Sequence, residues 1–389
     1  MAESDIPVPQ RNLSVDTIIG VLERTAFNPS ILLPLVLAAR FTKKGETWSI
    51  LHSTTFKRLK LLLYLSILKI VTQWYSKKAL NNWAVDKRWN WCCEVAVVTG
   101  GAGGIGGHIT QLLAGKGVRV AVLDIQDMTY DGVSGPNIAY FKCDITSSTQ
   151  IAETAAKIRA KWGDITILVN NAGVVRGKTI LEMTEKDVRF TFDVNSISHY
   201  LLAKEFLPAM VKRDHGMVVT IASLAAFITV PNMVDYASTK AAATCFHEGL
   251  SAELKMRYNA PRVRTILVNQ GYTNTSLFTG YQNEDQFLMP TLEPEVVAQA
   301  IVDQILKGES GQIIMPKFAG IILPALRALP HFYQHSIRMK GKALMSKWTG
   351  RQVVEDLDAF YKNEKPAVEE SDYEIAHLSA KYDLCHLNP

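Results

Sequence analysis

A tyrosine and a lysine four positions apart, Tyr236 and Lys240, lie at the start of a stretch whose spacing predicts a helix over 236–257. Residues at i and i+4 share a helix face, so the phenol and the ammonium can reach one point together. Ser223 stands thirteen positions before the tyrosine, just past an apolar run at 217–221. The chemistry such a set can do is proton transfer to and from an oxygen. A free phenol titrates near pH 10, and a general base at neutral pH must ionise more readily than that. A neighbouring ammonium favours the phenolate by charge attraction. Tyr-x-x-x-Lys with a nearby serine is common in helices, so the pair acquires meaning only from the elements that hold it.

From Glu94 onward short apolar runs alternate with longer amphipathic ones, the signature of repeated βαβ units. Strands are predicted at 95–98, 118–123, 139–142, 165–169, 217–221, 263–268 and 312–315, and helices at 105–114, 148–161, 185–213, 236–257 and 294–306. The implied fold is a Rossmann-type α/β sandwich, a doubly wound seven-stranded parallel sheet with helices on both faces. The first strand runs directly into Thr99-Gly100-Gly101-Ala102-Gly103-Gly104-Ile105-Gly106, in which 101–106 satisfy G-x-G-x-x-G. In a strand-to-helix turn, glycines let the backbone approach a pyrophosphate, and the helix N-terminus supplies amide donors. Asp124 ends the second strand about 20 residues further on, where a carboxylate accepts hydrogen bonds from ribose hydroxyls and repels a 2′-phosphate. The glycine loop contains no Arg or Lys to pair with such a phosphate, so both positions favour NAD over NADP.

Together, Thr99-Gly100-x-x-x-Gly104-Ile105-Gly106, Asn170-Asn171-Ala172-Gly173, and Ser223 with Tyr236 and Lys240 resemble the short-chain dehydrogenase/reductase superfamily over residues 94–316. The resemblance implies that Tyr236 exchanges a proton with an alcohol or carbonyl oxygen, Ser223 holds that oxygen, and Lys240 also grips the nicotinamide ribose. It implies that Asn195 supports a proton-relay water, that Asp144 contacts adenine, and that Asn171 and Gly173 line the cofactor cleft. After the sixth strand the family usually has Pro-Gly-x-x-x-Thr; here the chain reads Gln270-Gly271-Tyr272-Thr273-Asn274-Thr275. Thr275 remains to grip the nicotinamide carboxamide, while loss of the proline is expected to loosen the loop over the substrate. His247 and Glu248 are read as a structural pair, and no metal site is expected.

The stretches 217–223 and 245–254 look most like the membrane-associated retinol dehydrogenase and 17-beta-hydroxysteroid dehydrogenase type 11 branch. That resemblance implies a retinoid, steroid or long-chain lipid alcohol as substrate, endoplasmic reticulum or lipid droplet as location, and possible homodimers. Rival readings are an NADP-dependent lipid ketone reductase, such as a 3-ketosphinganine reductase-like protein, and a non-catalytic NAD-binding scaffold or sensor on a lipid surface.

The 389 residues divide into an N-terminal hydrophobic and basic region at 1–90, a catalytic domain at 91–318 and a C-terminal extension at 319–389. Two apolar runs, 30–39 and 61–71, are each about half the roughly 20 residues a membrane-spanning helix needs. Flanking Lys and Arg, with Trp74, Trp83 and Trp89 as anchors, fit segments lying in a membrane interface. The alternative is that both runs pack as ordinary buried helices. The greasy, basic stretch 320–348 reads as a second interfacial contact, a lid over a hydrophobic mouth, or a structural cap, and the acidic run from Glu369 to Glu374 as a solvated tail. A net charge of +5 with interspersed signs offers no stripe for nucleic acid. Five cysteines without metal-ligand spacing read as reduced thiols, and the opening residues lack the n- and h-regions of a cleaved signal peptide.

Overall fold

Seven parallel strands form one sheet in the order β3-β2-β1-β4-β5-β6-β7. They are β1 (Val95–Thr99), β2 (Arg119–Asp124), β3 (Ile138–Lys142), β4 (Ile167–Asn170), β5 (Gly216–Ile221), β6 (Val263–Gln270) and β7 (Gly311–Met315). The computed structural model describes residues 14–130, 135–283 and 285–363. The acidic run at 369–374 lies outside them. Every residue of β1, β4, β5 and β6 is buried, as strands are when helices cover both faces of a parallel sheet. One face packs on α5 (Gly104–Gly115) and α10 (Pro294–Leu306) through Ile109, Leu113, Val297 and Ile301. The other packs on α6 (Ser148–Trp162), α8 (Ser198–Arg213) and α9 (Val234–Met256) through Ile151, Ile158, Phe206 and Leu250. Strand order reverses between β1 and β4, which opens a crevice at their carboxyl ends, the usual ligand site of such sheets.

The single helix expected over 185–213 is broken. A capping box at Thr184 and Asp187 starts α7 (Glu185–Phe192), and a π-turn at Asp193–Ile197 separates it from α8. Such wide turns concentrate at functional sites, and Asn195 sits in this one.

Four helices precede the sheet: α1 (Val15–Arg24), α2 (Pro29–Phe41), α3 (Lys43–Leu51) and α4 (Ser53–Leu80). Among the described residues no single helix is long and apolar enough to cross a membrane; α1 and α2 qualify only together, bent by 44°. Nor are the apolar runs buried as a whole; in α2 only Leu32 and Ala39 are buried. In α4 only Leu63 and Ser66 are buried, while Leu61, Leu65, Leu68 and Val71 face outward.

The segment after α4 is fastened to the amino ends of the strands. Arg264, 1% exposed, donates to the Asn81 and Ala84 carbonyls at 3.1 and 2.8 Å. His215 lies between Asp86 (2.7 Å) and Glu94 (3.4 Å), and both carboxylates push its pKa up against the effect of burial.

At the opposite end of the sheet, both Asp16 oxygens accept backbone N–H groups, from Lys317 at 2.7 Å and Phe318 at 2.8 Å. These are the first residues of α11 (Lys317–Ile322). Val15 N–H donates to the Phe287 carbonyl at 3.1 Å. Replacing such a capping carboxylate costs about 0.5–2 kcal/mol. Asp16→Ala is therefore expected to speed hydrogen exchange at the Lys317 and Phe318 amides by roughly tenfold, with little change in the sheet. Unchanged exchange there would show that the cap carries no stability.

α12 (His331–Lys340) and the residues up to Val353 belong to the same compact unit; α13 (Leu357–Asn363) belongs to a second, which begins at Val354.

Candidate active site

The glycines of the β1–α5 turn are set by space. Gly100 has φ +63° and Gly104 φ +54°. A Cβ on Gly106 would stand 2.3 Å from the Gly100 carbonyl oxygen and 2.4 Å from Asn171 Nδ2. Asn171 Nδ2 itself donates to the Thr99 and Gly100 carbonyls at 2.9 and 3.1 Å. Thr99 Oγ1 in turn accepts the N–H groups of Asn171 (3.0 Å) and Ala172 (3.1 Å), locking the ends of β1 and β4 together. The result is a bare backbone cradle with the N-terminus of α5 open behind it; its N-cap, Gly103, offers no side chain.

Asp124 closes one end of this cradle. Its Oδ2 accepts the Ala102 N–H and its Oδ1 the Gln126 N–H, both at 3.1 Å, so the carboxylate is held in the cavity wall. Asp144 lines the same end and caps its own turn, accepting from Thr146 N–H at 2.9 Å and Thr146 Oγ1 at 2.8 Å. Thr275 approaches from the other side: its Cγ2 would lie 3.9 Å from a Cβ on Gly104. An open glycine cradle, a fixed carboxylate about one strand away and a threonine above the loop fit a dinucleotide, and these residues would hold it.

The crevice is one end of a single cavity of about 710 Å³ whose wall also includes Ser223, Tyr236 and Lys240. Tyr236 is 3% exposed and meets the Phe278 ring edge-on at 5.7 Å. Lys240 Nζ donates to the Ile221 carbonyl at 2.9 Å and lies 5.6 Å from the centre of the Tyr236 ring. Ser223 Oγ donates to the Gln270 carbonyl at 3.3 Å and accepts the Ala225 N–H at 3.1 Å. Asn195 Oδ1 accepts the Val174 N–H (2.8 Å), and its Nδ2 donates to the Val174 carbonyl (2.9 Å) and to Thr239 Oγ1 (3.1 Å). Its side chain thus ties the end of β4 to α9. A Cβ on Gly173 would come within 3.5 Å of Asn195 Oδ1 and 3.6 Å of Lys240 Nζ, so all three converge.

In the protein alone burial pushes Tyr236 up to about 12, and the Ser223 hydroxyl opposes the shift. Burial also brings Lys240 down to about 8. Both shifts follow from removing the site from water, which penalises either charged form. His247 does not pair with Glu248; it is buried, and its Nδ1 lies 3.3 Å from Thr220 Oγ1.

The far end of the cavity was only coarsely legible. Phe278 and Tyr281, from the loop after β6, pack with Val230, Met233, Leu344 and Trp348. Tyr281 stacks on Tyr272 with ring centres 4.4 Å apart. The chain at 344–351 covers this loop through backbone bonds from Gln282 N–H to Leu344 (2.8 Å), Thr349 N–H to Thr279 (2.9 Å) and Arg351 N–H to Ser276 (2.8 Å). From the C-terminal stretch, Ile337 and Leu344 line the cavity.

Residues 94–286 match the short chain dehydrogenase family. Dehydrogenase RED2 of Cochliobolus heterostrophus is 41% identical over 52% of this chain and 76% of its own length. Estradiol 17-beta-dehydrogenase 11 of Homo sapiens is 32% identical over 64% of this chain and 83% of its own. A short chain dehydrogenase from Burkholderia cenocepacia, solved in complex with NADP, superimposes with a TM-score of 0.54 at 28% identity, covering 64% of this chain and 98% of that one. The chain belongs to the short chain dehydrogenase family, in the branch of estradiol 17-beta-dehydrogenase 11, and is an NAD(P)-binding oxidoreductase of CH–OH donors.

Proposed function

We propose that this enzyme interconverts a lipophilic alcohol and its carbonyl with NAD as preferred cofactor, using Tyr236 as general acid and base at a lipid surface of the endoplasmic reticulum or a lipid droplet. The observation that carries the reading is the convergence of Ser223, Tyr236 and Lys240 on one cavity that runs from the glycine cradle into an apolar chamber.

When bound, the nicotinamide supplies the two-electron acceptor or donor. The Ser223 hydroxyl orients the substrate oxygen, and Tyr236 takes its proton on oxidation or returns one on reduction. Lys240, charged below about pH 8, keeps positive charge beside the phenol ring. Asn195 is a positioning residue that fixes 173–174 against α9. Phe278, Tyr281 and the 344–351 cover keep water from the reacting oxygen.

Substrate class is read from the chamber walls, whose larger side chains are mostly apolar, and from the N-terminal helices. Ile31, Leu33, Leu35 and Leu37 of α2 and Leu61, Leu65, Leu68 and Val71 of α4 are all more than 40% exposed. Contiguous apolar surface of this kind marks a contact with lipid or protein, and the basic residues Lys57, Arg58 and Lys60 beside it suit an anionic lipid face.

NADH formation by the full chain in liposomes, over a panel of retinoid, steroid and long-chain alcohols with NADP in parallel, tests the proposal. Turnover with NAD supports it; cofactor binding without turnover in either direction favours the scaffold. Asp124 sets the cofactor arm. Like charges in contact cost several kcal/mol, and each 1.4 kcal/mol is tenfold. Asp124→Ala with Ile125→Arg should therefore lower the NAD to NADP ratio of kcat/KM by about 100-fold or more. An unchanged ratio would remove Asp124 as the discriminator.

A further inference from the structure

Gln270 is the last residue of β6, in register with Met315 of β7, and it stands where the family usually places proline. The residue is 8% exposed and lines the cavity, and its Oε1 is buried from solvent with no hydrogen-bond partner. Its own carbonyl accepts the Ser223 hydroxyl at 3.3 Å, so the carboxamide springs from a residue that touches the oxygen-holding serine. A proline or an aliphatic residue would fill this place without burying a polar group. An unpaired buried carbonyl oxygen is unfavourable, and a hydroxyl donor on a ligand relieves it once rotation of the carboxamide turns the oxygen toward the cavity.

We propose that Gln270 recognises a second oxygen on the substrate, a hydroxyl close to the reacting carbinol. A carboxamide presents an acceptor and two donors, and a hydroxyl is the small group that can satisfy either end. Ser223 and Tyr236 already engage the reacting oxygen, so an alcohol with one oxygen leaves Gln270 unpaired, whereas a diol or hydroxy-ketone does not. A site with a polar group that the ligand fails to meet discriminates more strongly than an apolar pocket does. The lipophilic substrate is thereby narrowed to one oxygenated on neighbouring carbons. This inference rests on the dehydrogenase reading above.

The test compares dodecane-1,2-diol with dodecan-2-ol, using the full chain in phosphatidylcholine liposomes with NAD. Wild type should prefer the diol, and Gln270→Met, similar in length but without strong hydrogen-bonding groups, should lower the diol to mono-alcohol ratio of kcat/KM by at least about tenfold. Gln270→Glu, which keeps an acceptor, should hold most of the preference and serves if the methionine variant does not fold. No preference in wild type, or a ratio unmoved by either variant, overturns the proposal. So does a loss traced to weaker NADH binding, which would make the cofactor the partner of Gln270. If wild type turns over neither alcohol, the dehydrogenase reading fails separately. Calorimetric binding of the two alcohols to the NADH-loaded protein then reads Gln270 alone, with equal affinities overturning it.

Discussion

Tyr236→Phe should lower kcat for alcohol oxidation by about 10²–10⁴-fold, the usual worth of a positioned general acid or base, while the variant still binds NADH. The change deletes one oxygen and keeps the ring that packs against Phe278, so a large effect must come from the proton. The same phenol fixes a pH dependence. Burial holds Tyr236 near 12, so it is neutral across the ordinary range in the protein alone. Alcohol oxidation needs the phenolate and should rise with pH; carbonyl reduction needs the neutral phenol and should stay level, then fall in alkali. The positive charge of oxidised cofactor, when bound, moves the rise toward neutral pH by stabilising the phenolate. In Tyr236→Phe the residual oxidation should lose this rise. An intact rise in pH profiles of the variant would assign the base elsewhere.

Gly106→Val should do the reverse, removing binding before chemistry. Even one added carbon falls 2.3 Å from the Gly100 carbonyl oxygen, which is backbone, and 2.4 Å from Asn171 Nδ2, which is held by two hydrogen bonds. Relieving that overlap pushes the glycine cradle away from β4 at an overpacking cost of about 1–3 kcal/mol. The NADH dissociation constant is expected to rise about 10–100-fold, and fluorescence titration reads it directly. Far-UV circular dichroism should stay close to wild type, because the sheet core of Val98, Val122 and Val169 lies below the turn. Unaltered affinity would place the pyrophosphate away from this turn.

The parts of the fold that the sequence made legible are those governed by short-range rules. All seven strands fall within a few residues of their predicted places; the central ones are buried on both faces and read as apolar runs, and the edge strands β3 and β7 are short apolar-rich runs. The glycine turn, Asp124 and the Tyr236–Lys240 pair were found because each depends on spacing along one element or one turn. What escaped depends on contacts distant in sequence. Nothing local in Asp193–Ile197 announces a π-turn; it is held where Asn195 bonds Val174 and Thr239, 21 and 44 positions away. The cover that 344–351 gives the loop after β6 arises only from backbone pairing with 276–282. Spacing along α9 brings Tyr236 and Lys240 together but does not reveal how deeply both are buried, which raises the phenol and lowers the ammonium in the protein alone. Gln270 was noticed as a departure from proline, but its unpaired side-chain oxygen shows only once the strand is folded into the cavity wall.

Transfer of deuterium from a carbinol-deuterated long-chain alcohol, followed by mass spectrometry of the NADH formed by the full chain in liposomes, bears most directly on the central claim. NADH carrying one deuterium from wild type, and almost none formed by Tyr236→Phe at equal cofactor occupancy, is the expected result. Bound NAD with no labelled NADH, or labelled NADH formed equally well without the phenol, would contradict it.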